Sequence, residues 1–482
     1  MHMTRILALV ASLAFATLLH AEQPVSTTAT PEQRVEALTQ IQIETSTDTQ
    51  SLGRLATLYQ RSGDKERYRW TMARLTQLLP GLLKLKLDLV ASYAADDMKT
   101  PAYDLLLSMK GQGFGVDISA DPRFEKIHGT EVWDFAVASL KANMEPFGEG
   151  KVAYRLPAAD LLIDALAWDP LRKQLLAGSA RDGGIYRVAA DGKLEPFIKA
   201  DANNQLWSVY ALAVDAPHKR LWVATTSVMH FKGYDADNAG KAALIEFDLT
   251  SGKLLHRYAL ERAGSNVFLS ALALAPDGTA YAVDGVHKVV YTPREGKLEE
   301  VLANPNLNDI RAITVSGDGK MLYMVDTLLG IFGFDLEQKS AFGLGYNPDG
   351  LVLSGIVGLY WYDGTLVLVE PGMQPARVMR LTLSEDGRSV AKAMPLDVSR
   401  PEFTQLDGGT IAGDKLYFIT NSQRAKYDRH GLLRDGAVLE PLTIWESDLR
   451  FAWDEDGVNL GMQPITAAKP AAKPPVTNDA KP

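Results

Sequence analysis

No cysteine occurs anywhere in the 482 residues. No disulfide can form and no thioether lipid can be attached behind an N-terminal leader, so the fold must rest on apolar cores alone. Beyond the N-terminus no stretch stays apolar for the roughly 18 residues that a membrane-spanning helix needs. Excess basic charge is missing too. The net charge is −9, the pI is near 5.5 and no basic stripe is present, which argues against nucleic acid and against an anionic membrane surface. There is no Gly-x-Ser-x-Gly elbow, no His-Glu-x-x-His and no glycine-rich phosphate loop. The eight histidines are scattered, and His218, His256 and His287 sit in or beside expected turns, where an exposed structural role is the default.

What is present is ordinary for a folded chain: 46% hydrophobic and 23% charged residues. The length predicts two or more domains. Arg5, the apolar run over residues 6–19 and Leu19-His20-Ala21 predict a secretory signal over 1–21, hence a periplasmic or secreted protein. Residues 22–30 form a polar linker. Residues 460–482, rich in Ala, Pro and Lys, cannot bury a core and are expected to be a disordered tail.

Over 31–147 the apolar period is helical. Tyr59 and Tyr93 occupy matching places in Leu-Ala-Thr-Leu-Tyr59 and Leu-Val-Ala-Ser-Tyr93, 34 positions apart, which is the period of a tetratricopeptide repeat. Gly63-Asp64 and Asp96-Asp97 are expected at turns between paired helices, with Pro80 and Pro101 at unit boundaries. Asp121-Pro-Arg-Phe124 resembles the turn-and-cap that closes bacterial tetratricopeptide arrays, and a last helix is expected from Glu131 to Asn143. Gly148-Glu-Gly150 marks the domain boundary, and the helices are expected at the side of the next domain.

From 151 to 449 the period switches to 2. One phrase, a small-apolar strand, a turn and a second strand, occurs six times, beginning at Ala165, Ala211, Ala271, Ala312, Ile356 and Gly409. Its clearest copy is Ala312-Ile-Thr-Val-Ser-Gly-Asp-Gly-Lys-Met-Leu-Tyr-Met-Val-Asp326. After most copies a further strand-turn-strand follows. Four strands per unit at spacings of about 40–60 residues match β-propeller blades. The predicted fold class is therefore multidomain α plus all-β: a tetratricopeptide-like helical domain followed by a six-bladed β-propeller. The strand from Val152 to Leu156 is placed to close the last blade beside Val438-Leu-Glu-Pro-Leu-Thr-Ile444.

In such a ring, residues just ahead of each phrase converge at one mouth of the central channel. These are Asp164, Tyr210, Ser270, Arg311, Gly355 and Gly408, with Asp407 beside the last. A second ring, Ser179, Thr225, Asp284, Asp326, Glu370 and Thr420, follows the turns. Its acids suit a cation or, more simply, the capping of local backbone N–H groups.

These phrases, with Ile185-Tyr-Arg-Val and Leu322-Tyr-Met-Val-Asp-Thr, resemble the gluconolactonase/senescence-marker-protein family of six-bladed propellers over about residues 155–425. The resemblance implies a channel metal held by a Glu, two Asn and an Asp, and hydrolysis of lactones or phosphoesters. By position the family's Glu falls on Asp164, one Asn on Arg311 and the Asp on Asp407; the other Asn has no counterpart. Arg311 is the departure, because a permanent cation cannot ligate a metal. With Asp164 and Asp407 as its partners, it points to an anionic ligand or a salt-bridge plug.

Two functions follow. One is a non-enzymatic exported platform, with a protein or peptide on the helices, a small molecule at the mouth (Asp164, Tyr210, Ser270, Arg311, Asp407) and no cofactor. The alternative is a lactonase or esterase using calcium, zinc or manganese on Asp164 and Asp407.

Overall fold

The computed structural model describes residues 38–262, 265–451 and 465–466. The expected signal and linker lie outside these residues, as does the expected tail except for Ile465–Thr466. The architecture is α plus all-β, with a helical layer followed by a six-bladed propeller.

The helices are α1 (Gln40–Thr45), α2 (Thr49–Ser62), α3 (Lys65–Leu78), α4 (Leu83–Ala95), α5 (Lys99–Gly111) and α6 (Glu131–Ala142). Asp48 caps α2 by accepting from the N–H groups of Gln50 and Ser51. Gly63 ends α2 at φ +76°, a conformation that costs glycine nothing, and Asp64 caps α3. Asp96-Asp97 likewise separates α4 from α5. Pro80 lies between α3 and α4, but Pro101 lies inside the first turn of α5 and marks no unit boundary. A proline there loses no helical hydrogen bond. Asp121 caps a 3-10 turn, Pro122–Ile127, that leads into α6.

One residue breaks the apolar logic of this layer. In α4 the buried stripe is Leu83, Lys86, Leu89, Val90 and Ala94. Lys86 is 4% exposed, its ammonium stands 5.4 Å from the Phe114 ring centre, and no carboxylate among the described residues forms an ion pair with it. Burial pulls its pKa down to about 8. Between about pH 8 and 10.5 the unfolded chain therefore binds more protons than the folded one, so stability rises with pH across that window. We expect Lys86→Met to stabilise the protein by on the order of 2 kcal/mol at pH 7. It should also flatten that pH dependence, as read from thermal melts between pH 7 and 10.5.

The inner strands of the six blades are Ile163–Asp169, Ser208–Asp215, Leu269–Leu274, Ala312–Val315, Gly358–Tyr362 and Gly409–Ala412. In the first five blades the later strands follow outward and antiparallel, and in the sixth the next two do. The hairpin after Ala312–Val315 turns at Gly319, φ +74°. Period 2 explains the repeated small-large-small phrase. Ala165 and Ala167 face the seam with blade two, whereas Leu166, between them, faces the seam with blade six. An apolar cluster fills each of the six seams, so every blade packs on two neighbours.

The sixth sheet is completed from the far end of the domain. Lys151–Leu156 pairs antiparallel with Leu442–Asp448, in the register Val152 to Trp445 and Leu156 to Leu442. Blade five gains a short fifth strand, Ile465–Thr466, against Lys392 and Ala393.

The helical layer docks on the end of blade five where its inner strand begins, not at the side of the ring. Val352 and Met373 of that blade join the core of α4–α6. Gln112 donates to the Pro348 carbonyl, Gly115 N–H donates to the Gln374 carbonyl, and Phe147 and Val398 exchange backbone hydrogen bonds. Beneath them Arg377, 3% exposed, donates to Glu370, to the Gln112 carbonyl and to the Val352 carbonyl. Gly113 makes room for it: a Cβ there would sit 2.8 Å from the guanidinium.

Candidate functional site at the channel mouth

Asp164, Tyr210 and Ser270 reach the mouth by one device. Between blades' first and second strands the register passes from Ile163 opposite Ser179 to Ala165 opposite Gly178, which leaves Asp164 as the extra residue of a bulge. Tyr210 is bulged in the same way between Val209 and Ala211, and Ser270 between Leu269 and Ala271. A bulge re-aims one side chain out of the pleat, and here it happens at three equivalent places. Arg311 stands one residue ahead of its strand, with its N–H on the Val325 carbonyl. Together these four residues line a cavity of ≈ 100 Å³ with Gly358, Tyr360 and Gly408.

In blade five the position falls on Val357, whose N–H bonds the Val369 carbonyl, and not on Gly355. Gly355 packs against Gly372 instead, at φ +63°. Its irregular approach, residues 344–357, carries no alternating pattern from which the register could be counted.

The charges do not pair as a single triad. Arg311, from blade four, reaches past blade five to Asp407 of blade six at 3.1 Å. Asp164 is held instead by Arg424, which also stacks over the Tyr210 ring at 5.4 Å. Arg424 belongs to a strap, residues 421–441, that joins two strands of blade six across the top of blade one. Tyr427 of the strap donates to Asp160 at 2.8 Å, and Arg181 and Lys232 complete the ion pairs of Asp160. Against the desolvation that burial imposes, those donors hold the Asp160 carboxyl well below the usual carboxylate range.

The acids lie behind the arginines. Asp164 and Asp407 side chains are 5% and 10% exposed, whereas Arg424 and Arg311 are 33% and 32% exposed. Two buried atoms of the first pair have no partner: Oδ1 of Asp164 and Nε of Arg424. Burial pushes the Tyr210 hydroxyl up to about 12 and raises that of Tyr360, which accepts from the Gly409 N–H. Ser270 Oγ faces the Ile310 carbonyl at 3.4 Å.

The acids of the second ring are already engaged within the protein. Asp284 accepts from the N–H groups of Phe268, Val286 and His287, and Asp326 from those of Asn308, Leu328 and Leu329. Glu370 is the partner of Arg377 under the helical layer.

As placed, these residues do not fit a divalent cation. Each of the two candidate ligands, Asp164 and Asp407, is neutralised by a guanidinium, and among the described residues no group of three or more His, Asp or Glu side chains gathers to complete a set.

No family model matches the chain, and no curated protein does. Solved structures of similar fold exist. The PQQ-bound form of an aldose sugar dehydrogenase from Streptomyces coelicolor is 15% identical, covering 63% of this chain and all of that one, with a TM-score of 0.41. A gluconolactonase from Xanthomonas campestris is 16% identical over 64% of this chain and 92% of its own, with a TM-score of 0.41. A virginiamycin B lyase from Staphylococcus aureus is 16% identical over 62% of this chain and all of that one, with a TM-score of 0.40. Likenesses at this level of identity and superposition carry no argument about function.

Proposed function

We propose that this protein binds a small polar molecule at the propeller mouth. The helical layer, tetratricopeptide-like in its pairing, would offer a surface to a protein or peptide on the same end of the ring. The observation that carries the reading is the pair of arginine–aspartate couples at one mouth, with an acceptor and a donor of the first couple unfilled. Buried polar atoms without partners cost stability, so a ligand that satisfies them gains what the free protein forgoes. The apolar run at residues 6–19 supports export to the periplasm or beyond, which cell fractionation with an N-terminal sequence of the mature chain would test.

A second reading, a lactonase or esterase of the gluconolactonase-like kind, is favoured by Oδ1 of Asp164, a buried carboxylate oxygen with no hydrogen-bond partner. Its metal-dependent form requires Arg311 and Arg424 to leave their acids. Metal analysis of the purified protein, with a lactone and aryl-ester screen in the presence and absence of chelator, separates the two. The binding reading expects no turnover of either substrate class and no shift in melting temperature with Ca²⁺, Zn²⁺ or Mn²⁺. Chelator-sensitive turnover would overturn it.

A further inference from the structure

Resting on the reading of the mouth as a small-molecule site, we propose that its ligand is a small carboxylate bearing a hydroxyl on the neighbouring carbon. Arg424, delivered by the strap from outside the repeat pattern, is the residue that selects it. Each guanidinium offers five N–H donors in a planar fork. Among the described residues Arg311 donates from that fork to Asp407 alone, and Arg424 to Asp164 alone. Because the acids are buried and the guanidinium groups are one-third exposed, an incoming molecule meets donors first. A carboxylate is the acceptor that matches such a fork in shape and charge.

The two unfilled atoms then narrow the class. Nε of Arg424 lacks an acceptor, and Oδ1 of Asp164, on the same ion pair, lacks a donor. A 2-hydroxy acid carries both complements on adjacent carbons: a carboxylate oxygen for the arginine and the hydroxyl hydrogen for the aspartate. A simple carboxylate leaves Oδ1 unfilled. A neutral polyol meets the guanidinium groups with uncharged acceptors only. The cavity of ≈ 100 Å³, lined by Asp164 of this couple and by Arg311, admits an acid of few carbons. The Tyr210 ring under Arg424 keeps the guanidinium in place, so Tyr210 is a positioning residue.

Calorimetric titration at fixed ionic strength with lactate, acetate and glucose tests this. Lactate should bind about tenfold or more tightly than acetate, the difference being one hydrogen bond to a charged acceptor. Arg311→Gln and Arg424→Gln should each weaken lactate by about tenfold or more. Asp164→Asn should bring lactate and acetate to within about twofold of each other, because the amide no longer presents the carboxylate acceptor. Melting curves confirm that each variant folds; Arg311→Lys and Arg424→Lys serve if a glutamine variant does not, since they keep the charge and lose the fork. Lactate binding no tighter than acetate, or undiminished in both arginine variants, overturns the proposal. Glucose binding that Ser270→Trp abolishes, with lactate inert, overturns the carboxylate class and leaves the mouth as a small-molecule site. All three probes inert in wild type and Ser270→Trp alike would remove both readings.

Discussion

Replacing residues 151–156 with a glycine-serine segment is expected to leave the protein unable to hold its native ring. Among the described residues those six form the only strand that ties the start of the propeller to its last blade, through five residue pairs with Leu442–Asp448. Without them Leu442–Asp448 becomes an open edge, a template for association with other chains. Leu156, 1% exposed, also fills the seam between blades six and one with Ile163, Ile419 and Ile444. Truncating Leu156 alone should cost about 2–4 kcal/mol. Losing the whole strand adds the ladder and the packing of Tyr154, which together rival the ~5–15 kcal/mol that a native domain has in all. The expected result is aggregation on expression, against a milder fall in melting temperature for Leu156→Ala. A monomeric replacement variant melting within a few degrees of wild type would show that the seam is not what closes the ring.

Arg377→Met should be the most damaging single substitution away from the mouth. Arg377 and Glu370 are 3% and 0% exposed at the side chain, and the guanidinium also holds one carbonyl from each domain. Removing it strands a buried carboxylate, whose other oxygen already lacks a partner and whose pKa burial raises. Breaking a buried pair from one side costs about 3–5 kcal/mol, whereas exchanging both partners for apolar groups is often close to neutral. Denaturant unfolding should therefore show a large loss for Arg377→Met and substantial recovery in Arg377→Met/Glu370→Leu. Proteolysis between 143 and 151 should rise in the single variant, because the clamp joins the helices to blade five. Equal stability of single and double variants would mean that Glu370 is not the stranded group.

The helical turns at Gly63-Asp64 and Asp96-Asp97 were legible because glycine and acidic caps act locally. The blades were legible because a two-residue period places alternate side chains on opposite faces, whatever lies far away in the chain. Where that alternation lapses the register is lost, which is why the mouth position of blade five falls on Val357 rather than Gly355. Arg424 left no trace in the pattern: it sits in an aperiodic loop, 260 residues from the aspartate it holds. The acids of the second ring look alike in sequence, yet Asp284 caps a turn while Glu370 anchors another domain.

By itself, then, the order of residues determined that there are helices followed by six β-modules, since periodicity, turn chemistry and capping are short-range properties. Tertiary structure alone decided which arginine meets which aspartate and on which end of the ring the helices sit. Ring closure brings distant residues within hydrogen-bond reach, and the strength of a charge pair depends on that distance and on burial, neither of which is written in local sequence.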